Sequence, residues 1–342
     1  MCANTVLRLL SVAGLMKLLK NGVTMLVAGA GTMSRQYVRV LAAQGIPMEV
    51  VGRSVSGCEA FRGDTGVVAT PGGIDAYLAG LGAEVPHEAI VAVDPDALYA
   101  CTLSLLRAGV RRILVEKPGG LGLDELEHLA RVADEQGAEV RVAYNRRYLQ
   151  SVQQLRQHAQ RDGGITSVHF EFTEWAHVIE KLDHSVETLS RWLLANSSHV
   201  IDTAFYLAGE PTEDISCFQS QPIKWHEYGC FTGAGSTNRG ALFSYLANWG
   251  SAGRWSLEAM TARGRYKLCP METLRFQPRG ELTEETLGAG SDIDVRFKPG
   301  LYRMVEDFIG DVSELPTVRQ QLEMARVYFR MAGYAEASAR TS

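Results

Sequence analysis

The sequence lacks a surplus of basic residues and lacks closely spaced cysteines, and each absence excludes a class of protein. Its 342 residues contain 34 Lys and Arg against 39 Asp and Glu, a net charge of −5. A general nucleic-acid-binding surface is therefore not expected, because no basic surplus is present to neutralise phosphates. The 6 cysteines are dispersed and none form a CxxC pair, which argues against a secreted disulfide framework and a zinc knuckle. We expect reduced thiols and a cytoplasmic protein.

Long hydrophobic runs are also missing. No apolar stretch reaches the roughly 20 residues that a membrane-spanning helix needs. The apolar run from Val6 to Leu19 is interrupted by Arg8 and Lys17, and no small-residue cleavage site follows it, as would be typical of a signal peptide. We interpret residues 1–22 as an N-terminal extension or a short amphipathic helix.

The first half of the chain alternates short apolar runs with segments of helical periodicity. The apolar runs are residues 23–28, 48–51, 89–93, 112–115 and 139–143, and the helical segments between them are residues 34–44, 97–108 and 124–136. Repeated strand–helix–strand units predict a parallel sheet with helices on both faces. We therefore expect an α/β domain with a doubly wound Rossmann sheet.

The second half shows a different pattern, in which strand-like runs follow one another without intervening helices. These runs are residues 167–173, 215–219, 240–248, 254–260 and 266–269, with helices predicted over 151–160, 198–208 and 317–337. Grouped strands indicate an α+β domain with an open, mostly antiparallel sheet. The predicted organisation is an extension (1–22), a Rossmann domain (23–145), an α+β domain (146–316) and a C-terminal helix (317–342).

A glycine-rich turn lies between the first predicted strand and its helix. Gly29 and Gly31 occupy the first two positions of the dinucleotide-binding fingerprint, with Ser34 in place of the third glycine. The first glycine permits a tight turn, and the second lets backbone amides approach a pyrophosphate at the helix N-terminus. Thr32 and Met33 complete the turn, so we expect these residues to bind a dinucleotide.

The end of the second strand indicates which dinucleotide is preferred. NAD-binding sites usually have a carboxylate about 20 residues after the glycines, where it accepts from the ribose hydroxyls. Arg53 and Ser54 stand there instead, and a guanidinium suits the 2′-phosphate of NADP. We expect NADP to be preferred, with NAD possible, and we include Asp94, after the third strand, among the cofactor-binding candidates.

A Glu116-Lys117-Pro118 motif follows the fourth strand, at the sheet edge where ligands bind in open parallel sheets. Together with the glycine-rich turn and the polar segment 144–148, this motif resembles that of the Gfo/Idh/MocA family of oxidoreductases. The resemblance extends from about residue 23 to residue 337. It implies that Lys117 contacts the nicotinamide and the substrate hydroxyl, with Glu116 beside the cofactor.

The family's second catalytic element is a histidine that opens a helix, with an aspartate four residues earlier. His199 matches the histidine, and Asp202, one turn later, could orient or balance its ring. A histidine in the first helical turn is held neutral by the helix dipole, which permits base chemistry near pH 7. The aspartate position is occupied by Ala195, however, and Asn196 is the nearest polar replacement.

The substrate side is predicted from the segments around these two residues. The candidates for substrate binding are Asn145, Arg146, Asn196, Asp202 and Trp175. The region 174–196 is rich in polar and aromatic residues, which suits a sugar ring. The spacings of His177, His184 and His199 match no metal motif, so no metal is expected.

The sequence therefore predicts an NADP-dependent oxidoreductase that moves hydride between the nicotinamide and a carbinol or keto carbon of a sugar or sugar derivative. Lys117 and His199 would handle the hydroxyl proton. Two alternatives stay open at this point. One is a sugar lyase or glycosidase that works through transient oxidation. The other is a non-catalytic cofactor-binding sensor or partner protein, which Ala195 keeps in play.

A homodimer or homotetramer is predicted through the second-domain sheet. The strand residues Leu242, Phe243 and Tyr245, with Trp249 and Trp255 nearby, supply more apolar surface than one covered face needs. An uncovered apolar face is unusual for a monomer.

Overall fold

The computed structural model describes residues 24–81, 85–288, 291–310 and 313–335. The predicted N-terminal extension (1–22), the first residue of the predicted Rossmann domain and the end of the predicted C-terminal helix (336–342) lie outside the described residues.

A six-stranded parallel sheet forms the first half of the chain. Its strands are β1 (Met25–Ala28), β2 (Met48–Val51), β3 (Ala69–Thr70), β4 (Glu88–Val91), β5 (Arg112–Glu116) and β6 (Glu139–Ala143). The strand order is β3-β2-β1-β4-β5-β6, and every neighbouring pair is parallel. The order reverses between β1 and β4, which creates a crevice at the carboxyl ends of these strands. The predicted Rossmann sheet is confirmed.

Helices cover both faces of this sheet. They are α1 (Thr32–Ala43), α2 (Val55–Thr65), α3 (Gly73–Gly80), α4 (Leu98–Ala108) and α5 (Leu123–Gln136). Apolar side chains of α1 and α2 pack on one face, and those of α4 and α5 pack on the other. The central strands are buried from both sides, and all four residues of β1 are inaccessible.

An eight-stranded sheet forms the second half. Its strands are β7 (Ser167–Phe172), β8 (Pro211–Ser220), β9 (Cys230–Thr237), β10 (Leu242–Asn248), β11 (Trp255–Met260), β12 (Gly264–Leu268), β13 (Leu274–Pro278) and β14 (Glu285–Leu287). The order is β14-β13-β12-β11-β7-β10-β9-β8, and only the β7–β10 pair is parallel. The prediction of a mostly antiparallel second sheet is confirmed.

One face of the second sheet is covered by helices. The helices of this region are α6 (Gln150–Arg161), α7 (Ala176–Ile179), α8 (Val186–Ser190), α9 (Ser198–Ala208) and α10 (Asp292–Arg296). Phe205 on α9 packs edge-on against Phe170 of β7 and Phe243 of β10, with ring centroids 5.7 and 5.0 Å apart. An aromatic core therefore fixes α9, which carries His199, to this sheet.

The aromatic core changes one expectation about the sheet surface. Phe243, Tyr245 and Trp249 are only 3%, 1% and 1% exposed, because Phe243 packs against α9 and the other two pack against aromatic rings of the core. These three side chains cannot supply a subunit interface, and that part of the prediction is wrong. The apolar side chains that the uncovered face does expose are Leu242, Leu246 and Phe218.

The last two helices return to the first sheet. Helix α11 (Leu301–Ile309) joins the core formed with α1, and α12 (Val318–Ala332) packs beside α5. The chain thus closes both faces of the Rossmann sheet with residues from its far end. Within the described ranges, no helix is both long and apolar enough to cross a membrane.

Candidate active site

The glycine-rich turn is shaped by close contacts to the neighbouring strand. Gly29 has a φ of +119°, and a Cβ there would lie 2.3 Å from the carbonyl oxygen of Ala92. Gly31 has no atom within 4 Å of the position of a Cβ, so open space lies over it at the start of α1. The Ser34 hydroxyl donates to Ala92 O at 3.1 Å and is buried. Serine therefore links α1 to β4 where the fingerprint has its third glycine.

These features fit a dinucleotide. The first glycine is required by its backbone angle, and the space over the second leaves the backbone amides at the helix start accessible. Thr32 and Met33 form the first turn of α1, and Asp94 begins a 3-10 turn, Pro95–Ala97, just beyond the carboxyl end of β4. The turn, the first helical residues and Asp94 all lie at the crevice between β1 and β4.

The end of β2 presents a free guanidinium. Arg53 is exposed, and no carboxylate of the described residues lies within 4 Å of it. The Ser54 side chain instead caps α2, since its oxygen accepts from the Gly57 amide at 3.1 Å. Arg53 is therefore available to an anion, whereas the Ser54 oxygen already has a structural partner.

Lys117 lies just beyond β5, and its ammonium group donates to the backbone carbonyl of Ala195. The pKa of Lys117 is lowered to about 8. Burial is the largest cause, and the nearby cations Lys298 and Arg146 also lower the pKa, whereas the carboxylates Glu116 and Glu174 raise it. Glu116 is 9% exposed and accepts from the Tyr37 hydroxyl at 2.7 Å.

His199 lies in the first turn of α9 and is 7% exposed. Burial lowers the pKa of His199 well below 6.5, and Lys117, Arg146 and Lys298 lower it further. The ring is therefore neutral at physiological pH. Its Nδ1 has no hydrogen-bond partner within the described part of the chain, and the Trp255 ring lies 5.9 Å away, centroid to centroid. A neutral imidazole beside Lys117 has a nitrogen lone pair that can accept a hydrogen bond or a proton.

The residues directly before α9 have an unusual backbone conformation. Residues Leu193–Ser197 form a π-helical turn directly before α9, a conformation that is frequent at functional sites. Asn196 donates from Nδ2 to Glu174 Oε1 at 2.9 Å, and the Ser197 hydroxyl donates to the same oxygen at 2.9 Å. The candidate Asn196 thus reaches the site with its amide nitrogen held by a buried carboxylate.

Asp202 has a different partner from the one expected. Its two carboxylate oxygens accept from Arg147, at 2.8 Å from Nε and 2.6 Å from Nη2, and its residue exposure is 2%. The hydrogen bonds of Asp202 are those of an ion pair that joins α9 to the 3-10 turn Asn145–Tyr148. The expectation that Asp202 orients the His199 ring is wrong, because the carboxylate faces Arg147.

The other substrate-side candidates make different contacts. Arg146 pairs with Glu272 at 2.6 Å and lies over the Trp255 ring, 5.6 Å from its centroid. Asn145 is 4% exposed, and its Nδ2 donates to Pro299 O at 2.8 Å. Trp175 is 43% exposed and bonds through its indole nitrogen to Gly253 O. Arg146 is therefore near His199, whereas Trp175 is exposed to solvent.

Sequence reasoning missed Lys298. Its ammonium nitrogen lies 2.8 Å from the Met33 sulfur, so it joins the glycine-rich turn to the cations around His199. Burial lowers the pKa of Lys298. No local motif marks this lysine, and only the return of the chain to the first sheet brings it here. Among the residues described, no group of three or more His, Cys, Asp and Glu is arranged to hold a metal ion.

Comparison with known proteins agrees with this geometry. Residues 23–144 match the Gfo/Idh/MocA profile, described as an oxidoreductase family with an NAD-binding Rossmann fold. The dinucleotide-binding part of the chain is therefore similar to this oxidoreductase family. The resemblance drawn from the glycine-rich turn and the Glu-Lys-Pro motif is thereby confirmed.

Solved structures extend the likeness to the whole fold. An oxidoreductase from Agrobacterium radiobacter, in complex with NAD+, L-tartaric acid and magnesium, is 12% identical, with a TM-score of 0.74 over 91% of this chain and 96% of that one. UDP-N-acetylglucosamine 3-dehydrogenase from Acidithiobacillus ferrooxidans is 18% identical, with a TM-score of 0.72 over 92% and 98%. Levoglucosan dehydrogenase, in complex with NADH and levoglucosan, is 15% identical, with a TM-score of 0.73 over 91% and 96%. No curated protein sequence gives a significant match.

Proposed function

We propose that the protein is an NADP-dependent oxidoreductase that acts on a carbinol or keto carbon of a sugar or sugar derivative. The observation that carries this proposal is the meeting of Lys117, with its lowered pKa, and neutral His199 beside a glycine-rich turn that fits a dinucleotide. The nicotinamide, when bound, supplies or accepts the hydride.

The residues around this pair supply proton transfer and orientation. Deprotonated Lys117 or neutral His199 takes the proton of the substrate hydroxyl as the carbinol is oxidised, and returns it in the reverse reaction. Arg146 and Trp255 form a cation–π pair beside His199, and with Asn145, Asn196 and Trp175 they offer an aromatic face and hydrogen-bonding groups to a sugar ring.

Two observations support the finer parts of the proposal. Arg53 stands free where a ribose-binding carboxylate would exclude a 2′-phosphate. Two structural neighbours, UDP-N-acetylglucosamine 3-dehydrogenase and levoglucosan dehydrogenase, carry sugar substrates in their names. We propose a sugar for this chain on that basis and on the aromatic and hydrogen-bonding side chains near His199.

The test is turnover of a panel of sugars and sugar derivatives with NADP+ and NAD+, followed by absorbance of the reduced cofactor. We expect Lys117→Ala and His199→Ala each to lower turnover by about 100-fold, as loss of a proton-transfer group does. Cofactor affinity of His199→Ala should stay near that of the wild type. Near-normal turnover by His199→Ala would refute its role. Turnover of a sugar without net change in the cofactor would favour the lyase or glycosidase alternative.

A further inference from the structure

The alanine at position 195 offers the candidate site no polar side chain, but its backbone carbonyl still makes a contact there. The carbonyl of Ala195 accepts a hydrogen bond from the Lys117 ammonium. This carbonyl belongs to the π-helical turn Leu193–Ser197. The position of Lys117 therefore depends on how firmly that turn is held.

Glu174 holds the turn from the opposite side. It follows β7 by two residues, is 3% exposed, and accepts through Oε1 from Asn196 Nδ2 and from Ser197 Oγ, both at 2.9 Å. Asn196 and Ser197 are the two residues that directly follow Ala195. A single buried carboxylate oxygen thus ties down the chain next to the acceptor of Lys117.

Glu174 also contributes to the charge balance around Lys117. The charged groups that act on this ammonium are Glu116 and Glu174, which favour the cation, and Lys298 and Arg146, which disfavour it. The neutral His199 ring completes the surroundings. Glu116 accepts a hydrogen bond from Tyr37, and Glu174 accepts hydrogen bonds from the π-helical turn. Both carboxylates are therefore fixed in place.

We propose that Glu174 is a positioning residue for Lys117. Glu174 fixes Asn196 and Ser197, which follow the Ala195 carbonyl, and supplies the negative charge that alanine at position 195 cannot. The inference rests on the role of Lys117 in the proposed function. It assigns to the end of β7 the carboxylate that is missing at position 195.

The decisive measurement is the titration of Lys117 in the full-length protein without substrate. Competitive labelling with 1-fluoro-2,4-dinitrobenzene, read by mass spectrometry on the peptide that contains Lys117, gives the midpoint of its deprotonation. Glu174→Gln keeps the size and an oxygen acceptor but removes the charge. We expect the midpoint to fall by about one pH unit, as loss of a nearby opposite charge does. Labelling at pH 7 should then rise about five-fold.

Two further variants distinguish a specific effect of Glu174 on Lys117 from a general disturbance of the fold. Glu171→Gln is the matched control. It removes the same charge three residues earlier, on β7, where the side chain has no hydrogen bond to the π-helical turn among the described residues. The Lys117 midpoint of this variant should equal that of the wild type. Burial raises the pKa of Glu174, whereas the hydrogen bonds from Ser197 and Asn196 and the nearby Arg254 cation lower it, and Ser197→Ala removes one of these hydrogen bonds. It should therefore shift the Lys117 midpoint in the same direction as Glu174→Gln, by less.

The outcomes distinguish this inference from the proposed function. An unchanged Lys117 midpoint in both Glu174→Gln and Ser197→Ala would overturn the positioning role, even if sugars are oxidised normally. A shifted midpoint supports it, even if no sugar in the panel is oxidised and the proposed function fails. Where turnover is found, the pH profile of Glu174→Gln should shift to lower pH by the same amount as the labelling midpoint.

Discussion

The same surroundings hold two basic side chains of the candidate site, His199 and Lys117, in different protonation states. Burial and neighbouring cations lower the pKa of His199 well below 6.5, whereas the pKa of Lys117 is lowered to about 8. At neutral pH the imidazole is therefore uncharged while the lysine is still mostly an ammonium ion. Of these two side chains, only Lys117 changes its charge between pH 7 and 9, and this difference makes the two residues distinguishable in solution.

Oxidation of the substrate should become faster as the pH rises through about 8, since the neutral amine of Lys117 accepts the hydroxyl proton. The reverse reaction, which needs the ammonium form, should slow over the same range. The measurement is kcat/KM against pH in both directions. The limb near pH 8 should disappear in Lys117→Ala and persist in His199→Ala, because His199 does not titrate there. A limb that persists in Lys117→Ala would assign it to another group.

Cofactor choice should depend on Arg53. We expect NADPH to bind more tightly than NADH, and Arg53→Ala to weaken NADPH binding by about 2 kcal/mol, the size of a charge-assisted hydrogen bond. Binding of NADH should not change. Fluorescence titration of both cofactors measures this, with Arg62→Ala, an exposed arginine later on α2, as the control. Equal affinities for the two cofactors in the wild type would disprove the preference.

At the scale of helices and strands, the elements with a strong local pattern are the ones that sequence predicts. Helix α9 was predicted over its observed range, Ser198–Ala208, because its apolar residues recur at helical spacing and Gly209 ends it. Strand β9, Cys230–Thr237, was missed. It consists largely of Gly, Ala, Ser and Thr, and pairing with β8 and β10 on both sides holds it as a strand.

The residues of the candidate site also differ in how far the sequence predicts them. The glycine-rich turn, Lys117 and His199 carry local motifs and were predicted from them. The Asp202–Arg147 pair, the contact of Glu174 with the π-helical turn and the approach of Lys298 to Met33 were not. Each joins residues that are far apart in the chain, and no short pattern encodes such a contact. The sequence therefore predicts the proposed proton-transfer residues better than the residues that hold them.

Helix α9 should lose its attachment to the Asn145–Tyr148 turn when the Asp202–Arg147 pair is broken. The two side chains are only 3% and 13% exposed, and removing one partner of a buried pair leaves the other charge uncompensated. We expect Asp202→Asn to lower the free energy of unfolding by about 3 kcal/mol, measured by urea denaturation.

The matched control is Asp134→Asn, whose partner is Arg319 in a pair that is more than half exposed. Exposed pairs contribute about 1 kcal/mol or less, so this variant should stay close to the wild type. Equal stability losses in Asp202→Asn and Asp134→Asn would show that the buried pair has no special role. Cofactor affinity should be unchanged in both variants.

At the scale of the whole molecule, the uncovered face of the second sheet carries a row of exposed side chains, two of them apolar, across three neighbouring strands. Leu246 of β10 is opposite Thr232 of β9, which is in turn opposite Phe218 of β8. Leu246 and Phe218 are 45% and 65% exposed, and Leu242, on the same strand as Leu246, is 61% exposed. Exposed apolar patches on a sheet are typical of interaction surfaces.

We expect two copies of the chain to associate through this row, because a face shared by both copies can close a symmetric dimer. Light scattering at micromolar concentration should give at least twice the monomer mass, and Leu246→Lys should shift the mass toward that of the monomer. Val295→Lys, which places the same charge at an 83% exposed site on α10, should leave the mass unchanged. Because Leu246 is already partly exposed, its substitution should leave the fold of each copy intact. A monomeric wild type, or a Leu246→Lys variant of unchanged mass, would place the subunit contact elsewhere or remove it.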